Sequence, residues 1–204
     1  MKNIPILYEN EEILVINKPK GLCSQGGSGV LHSVDVDLPL QIGKPVFLVH
    51  RLDKDTDGLM IVAKSSVAAS KWIKLIGGKL VQKEYRALCV GSLPSQKGKI
   101  TTSVVQHGSE KPAVTHYFVE NQESFTFEEK SYTLSTVHLK LETGRMHQIR
   151  IHLAKINCPI AGDDKHGNFK INKILKKQKG IKNLCLTSCK LSFPVNGKTL
   201  VFEI

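Results

Sequence analysis

Apolar positions along this chain recur with two different spacings, and the switch between them predicts the elements. Ile13–Ile16 is a short apolar run that ends at Asn17-Lys18-Pro19-Lys20-Gly21, so it reads as a strand entering a turn. Val46–Val49 and Leu59–Ala63 read as two buried strands around the charged loop His50–Gly58. Charge on a loop held between core strands is a rigid mounting for chemistry. Ser65 or Ser66 can cap a helix whose Val67, Ala68, Trp72, Leu75 and Ile76 share one side, and Gly77-Gly78 ends it. On such a face Trp72 is expected to be a core anchor.

Period-two alternation returns in Lys83–Val90, with Tyr85, Ala87 and Cys89 on one face, and a loop is expected over Gly91–Lys99. Val114–Glu120 and Tyr132–Glu142 are further strands, predicted to pair antiparallel across a loop around Glu123–Lys130. After Thr143-Gly144-Arg145, the spacing of Ile149, Leu153 and Ile156 predicts a helix over Met146–Ile156. Asn157 takes its left-handed cap and Pro159 prevents continuation. A basic segment, Lys170–Lys182, reads as another helix, and strands near Leu184–Phe193 and Thr199–Phe202 close the chain. No repeat or linker divides it, so one domain over residues 1–204 is expected.

The chain has 204 residues, 41% of them hydrophobic, enough for an ordinary core. No apolar run approaches a membrane span, and Met1-Lys2-Asn3-Ile4-Pro5 lacks the apolar segment of a leader, so a cytoplasmic protein is expected. Lys and Arg number 29 against 18 Asp and Glu, a net charge of +11 that favours a polyanion such as nucleic acid. The five cysteines, Cys23, Cys89, Cys158, Cys185 and Cys189, have no paired CxxC spacing. They fit reduced, packed thiols rather than a zinc site.

Several chemistries fit parts of the charged loop. Asp53, Asp55, Asp57 and Gly58 have calcium-loop spacing, but Lys64 stands where that loop needs a bidentate Glu, and the flanks read as strands. A glycosidase pair using Asp163 or Asp164 matches poorly with a basic protein. His147 and His152 lack a familiar zinc spacing, and Gln25-Gly26-Gly27-Ser28-Gly29 is not a dinucleotide fingerprint. The remaining reading is a single carboxylate in a basic setting, Asp53, with Arg51, Arg145 and Arg150 as cations able to orient it.

His50-Arg51-Leu52-Asp53-Lys54-Asp55-Thr56-Asp57-Gly58-Leu59 resembles the HRLDxxTSG motif of the RluA family of pseudouridine synthases. Lys83-Glu84-Tyr85-Arg86-Ala87 and the stretch Thr143–Leu153 resemble two further family motifs in the same order. Asn17-Lys18-Pro19, Lys111–Thr115 and Pro159–Asp163 add shorter matches. The resemblance covers nearly the whole chain. It implies an α+β fold, with a mixed, mainly antiparallel central sheet flanked by helices, and isomerisation of uridine to pseudouridine in RNA.

By the same resemblance Asp53 is the essential carboxylate, attacking ribose C1′ or removing the 2′ proton. Tyr85 stacks on the uracil and its hydroxyl helps at C5, and Arg150 pairs with the catalytic aspartate. Arg51 suits the space a flipped base vacates. His50, Lys83, Arg145, His147 and Gln148 complete the implied RNA-binding set. Isomerisation needs neither cofactor nor metal, and the expected enzyme is a monomer with RNA as partner and no membrane contact. Asp57 replaces the motif serine, Cys185 lies where relatives often have histidine, and no S4 RNA-binding domain is expected ahead of the catalytic one. Gln25–Gly29 and Gly180–Leu184 look like the branch acting on large-subunit (23S) ribosomal RNA, while Gly162–Gly167 looks more like the branch acting on tRNA. Ribosomal RNA is preferred and tRNA is the alternative. In a different class, a catalytically idle RNA-binding protein also fits the charge.

Overall fold

The computed structural model describes residues 3–106 and 108–204; Met1 and Lys2, part of the start read as having no leader, lie outside them. The elements in chain order are β1 (Ile6–Glu9), β2 (Ile13–Lys18), α1 (Val34–Ile42), β3 (Phe47–Leu48), β4 (Asp57–Ala63), α2 (Ser66–Gly77) and β5 (Gln82–Val90). They continue with β6 (Lys97–Ile100), β7 (Val104–Gln106), β8 (Ser109–Lys111), β9 (Thr115–Phe127), β10 (Lys130–Leu141), α3 (Gln148–Lys155), α4 (Phe169–Lys179), β11 (Leu186–Val195) and β12 (Lys198–Glu203). The fold is α+β, with mostly antiparallel strands. Two compact units form, one from the residues up to Lys83 together with Thr187–Ile204, the other from Glu84–Leu186.

In the first unit β2 pairs antiparallel with β1 and β4, and β11 joins β4 in parallel while β12 folds back on β11. Strands β2 and β4 are apolar at nearly every position because both of their faces are covered. Helix α2 begins where the Ser65 hydroxyl accepts a hydrogen bond from Ala68 N–H. It seats Trp72 edge-on against Phe193, centroids 5.0 Å apart, in a core with Leu59, Ile61 and Leu191. Trp72 is thus the core anchor expected. Val67, expected on the same face, is 80% exposed instead: five positions before Trp72 it lies about 140° round the helix, whereas Ala68, next to it, is buried.

In the second unit β10 pairs with β5 and β9, and β9 with β6, all antiparallel. Two segments expected as loops are strands. Lys97–Lys99, the end of the loop expected over Gly91–Lys99 from its Pro, glycines and polar residues, belongs to β6; a side chain at Gly98 would collide with the Tyr117 ring, so Gly98 is a packing glycine. Glu123–Phe127 continues β9 because Glu128 and Glu129, at φ 46° and 63°, make a tight two-residue turn. This outer arm is polar and exposed on one side, while the other carries the half-buried rings of Phe125 and Phe127. Helix α3 starts two residues later than expected, since His147 adopts a left-handed φ of 53° at its N-cap. Asn157 takes the left-handed position that follows it, as expected. All five cysteines are free thiols.

Candidate active site

Asp53 sits on the loop between β3 and β4, and both of its neighbours are tied to one N-terminal segment. Leu52 is buried, and the Ser24 hydroxyl both donates to its carbonyl, at 2.7 Å, and accepts from its N–H, at 3.0 Å. The Lys54 carbonyl accepts from Gly21 N–H and from the Lys18 ammonium, each at 3.0 Å. Lys18 is wholly buried and also donates to the carbonyls of Leu22 and Pro19. Burial lowers its pKa to about 8, against the opposing pull of the carboxylates of Asp57, Asp55 and Asp53. Thr56 N–H closes the loop on the Asp53 carbonyl at 3.1 Å. The half-exposed Asp53 side chain therefore stands on a backbone fixed on both sides.

Arg51 is exposed and its Nη1 donates to Gln25 Oε1 of the glycine-rich segment at 3.1 Å. Gln25, Asp35, Phe47, His50 and Arg51 help to line an open cavity of about 510 Å³ in this unit. His50 faces inward: the Ile61 N–H donates to its Nε2 at 3.0 Å, so the neutral ring carries its proton on Nδ1. Desolvation, with the Lys83 charge adding to it, lowers the His50 pKa to about 3. Burial holds Lys83 below the usual lysine value.

Asp57 accepts from the Thr187 hydroxyl at 2.6 Å, and Lys20 lies 3.5 Å from its other oxygen. Next to it Gly58, at φ +104°, lies against the Ser188 backbone where β4 meets β11, leaving no room for a Cβ.

In the second unit Tyr85 is buried on β5, opposite Leu139 of β10, on the face shared with Ala87 and Cys89. Arg150 projects from α3 as a two-pronged donor, Nε to Asp163 Oδ2 at 2.8 Å and Nη2 to Asp163 Oδ1 at 2.7 Å, with Asp164 at 3.1 Å. Asp163 has no exposed surface. Burial alone would raise its pKa, but the Arg150 fork and the N–H groups of His166 and Lys165 more than offset this and hold it below the usual carboxylate value.

The other candidates divide into exposed and buried groups. Arg145 is exposed, with Nε reaching the Pro112 carbonyl, and His147 Nδ1 lies 3.0 Å from His166 Nε2. Gln148 is 2% exposed and fully used: its oxygen accepts from Thr143 Oγ1 and Arg145 N–H, and its amide donates to the Val114 carbonyl and Thr115 Oγ1. It joins the start of α3 to β9 and its approach. Lys18, Asp163 and Thr187 are site-supporting residues that single motifs did not assign. The short matches Asn17-Lys18-Pro19 and Pro159–Asp163 are the only signal in the sequence for two of them. Among the described residues, no three His, Cys, Asp or Glu gather as metal ligands.

A family model described as RNA pseudouridylate synthase matches residues 12–155. Ribosomal large subunit pseudouridine synthase C of Rickettsia bellii (strain RML369-C) is 37% identical over 173 residues, covering 81% of this chain and 58% of the relative. Ribosomal large subunit pseudouridine synthase D of Haemophilus influenzae (strain ATCC 51907 / DSM 11121 / KW20 / Rd) is 37% identical over 185 residues, covering 81% and 54%. The chain thus spans a little over half the length of these curated relatives. Among solved structures, human RNA pseudouridylate synthase domain containing 4 is similar at 26% identity with a TM-score of 0.77, over 98% of this chain and 87% of that one.

Proposed function

Because the chain belongs to the RNA pseudouridylate synthase family, we propose that it isomerises a uridine of large-subunit ribosomal RNA to pseudouridine. The observation that carries this reading is Asp53 on a doubly tied loop within the match to the family's HRLDxxTSG motif. In the proposed reaction Asp53 acts on the ribose, by attack at C1′ or by taking the C2′ proton. The base is released, turned and rejoined through carbon. Tyr85 supplies a ring for the uracil and a hydroxyl near C5, and Arg150, its fork held by Asp163, keeps its charge oriented for the catalytic carboxylate.

Arg51, exposed beside the cavity, is the wedge for the vacated stack, and Arg145, His147 and Lys83 add contacts to RNA. His50 and Gln148 serve the same site by holding its backbone, as their internal hydrogen bonds suggest. Both units belong to one catalytic domain in this reading, and the enzyme acts as a cytoplasmic monomer without cofactor or metal. Preference for ribosomal RNA over tRNA draws on the relatives' names and on the glycine-rich segment.

The test is release of tritium from RNA labelled at uracil C5, with ribosomal RNA and tRNA compared. Release with wild-type protein and none with Asp53→Asn, at unchanged RNA affinity, is expected. Equal release from the two would overturn the assignment. RNA binding with no release from either would instead support a non-catalytic RNA-binding protein.

A further inference from the structure

From Lys165 to Phe202 the chain carries nine lysines and no carboxylate. Five of them lie on α4, whose apolar side is consumed by packing. Leu175 is buried with Val90, Leu134 and Ala161, and Ile171 lies against the same cluster. Lys170, Lys173, Lys176 and Lys177 are exposed on the other side of the helix, and Lys182 follows just after it. Lysines three and four residues apart on one helix repel each other, so such a stripe costs helix stability unless an anion lies across it. Among the described residues, Lys179 alone of the α4 lysines meets a carboxylate, Glu123 at 3.3 Å, and the other carboxylates of this region, Glu128 and Glu129, lie at the turn of the β9–β10 arm.

Aromatic rings interleave with this charge. Lys177 lies 5.8 Å from the Phe127 ring centroid and Lys179 5.4 Å from that of Phe125, which is itself stacked on Tyr132 at 5.3 Å. All three rings are partly exposed, and Phe169 at the start of α4 is 61% exposed. Lysines beside accessible rings suit an unpaired nucleic-acid strand, whose phosphates take the charge and whose bases take the rings. A membrane surface fits less well, because an interfacial helix must offer its apolar face to lipid and that of α4 is buried.

We propose that the exposed face of α4 and the Phe125–Tyr132 end of the β9–β10 arm form an accessory platform for single-stranded segments of the substrate RNA. This rests on the reading of RNA as substrate. The platform contributes affinity and takes no part in bond breaking.

The test compares Lys170→Gln/Lys173→Gln/Lys176→Gln/Lys177→Gln with a control that loses as many charges elsewhere, Lys44→Gln/Lys71→Gln/Lys74→Gln/Lys198→Gln. Binding to a transcript of one large-subunit ribosomal RNA domain is titrated with KCl from about 50 to about 200 mM. Circular dichroism verifies that both variants fold. The α4 variant should flatten the slope of log Kd against log salt by about 3, near 0.7 for each lost phosphate contact, and bind at least about tenfold more weakly at the low-salt end. Its KM for the transcript should rise while kcat holds. A control with the same loss of slope would overturn the platform, as would α4-dependent binding to phosphatidylserine vesicles but not to RNA. Wild-type protein that forms no pseudouridine yet shows the α4-dependent slope removes the proposed activity and keeps the platform. An active enzyme with an unchanged slope does the reverse.

Discussion

The ammonium of Lys18, without exposed surface, lies 3.0 Å from the carbonyl of Lys54, the residue that follows Asp53. One buried cation thereby ties the end of β2 to the loop that carries the candidate catalytic carboxylate, using its three donors on three carbonyls. A planar guanidinium cannot satisfy that arrangement.

Lys18→Met should therefore cost about 2–3 kcal/mol, the penalty for buried carbonyls left without a donor. For a chain of this size that corresponds to a fall in Tm of roughly 5–10 °C. Turnover should drop at least about tenfold with RNA affinity retained, since the loop loses position rather than contact. Lys18→Arg should fail to restore it. Melting curves and single-turnover rates measured on both variants check this, and a Lys18→Met protein with wild-type kcat would refute it.

His50 makes the fold sensitive to acid. Its pKa falls from 6.5 in the ordinary state to about 3 in the folded one, so between these values the unfolded chain binds a proton that the native protein refuses. Stability from this group is complete above pH 6.5 and declines as the pH falls toward 3, by at most about 1.4 kcal/mol per pH unit. His50→Gln keeps an acceptor for the Ile61 N–H and has nothing to protonate. Denaturant titrations across that window should show a flatter acid limb in the variant, whatever its stability at neutral pH.

Removing the carboxylate of Asp163 takes the two-pronged acceptor away from the buried Arg150 guanidinium, which is 5% exposed. Asp163→Ala should cost about 3–5 kcal/mol, the usual result of breaking a buried pair from one side, and Asp163→Asn less. Because the folded carboxyl titrates below its unfolded value, its contribution is complete above the ordinary carboxylate range and fades as the pH falls through the folded value. Pseudouridine formation should fall about a hundredfold or more in either variant if Arg150 orients the catalytic carboxylate. Full activity in Asp163→Asn would assign the pair to stability alone.

Much of this architecture is legible in the residues. The helical spacing around Trp72, the alternation in Thr136–Glu142 and the left-handed Asn157 all lead to the elements observed. What escapes is decided by tertiary contact. Gly98 looks like a loop residue until the Tyr117 ring lies over it, and Glu123–Phe127 looks like a loop because the outer arm of a hairpin has little to bury. Helix α1 carries Pro39 in its interior, a residue that local propensity reads as a break. Within the candidate site, the family resemblance nominates Asp53, Tyr85 and Arg150, but the residues that hold the backbone after Asp53 and the Arg150 fork, Lys18 and Asp163, act through a backbone carbonyl and a carboxylate that lie 36 and 13 positions from their partners.

Asp57 stands where the family motif has serine, and its surroundings indicate what the exchange does. The Thr187 hydroxyl donates to it at 2.6 Å, a bond that links the start of β4 to β11, and Lys20 adds an ion pair at 3.5 Å. A serine hydroxyl can also accept from Thr187, although its shorter side chain requires a small approach of the two strands. The ion pair involves two partly exposed side chains and is worth no more than about 1 kcal/mol. Asp57→Ser should thus leave turnover within about threefold of wild type and lower Tm by at most about 4 °C. Asp57→Leu, which removes the acceptor, should cost both more stability and more activity, since Thr187 then lacks this acceptor beside the loop that carries the candidate carboxylate. Tritium release and melting curves for the pair separate the two effects. Equal behaviour of Ser and Leu variants would show that the contact with Thr187 carries no weight.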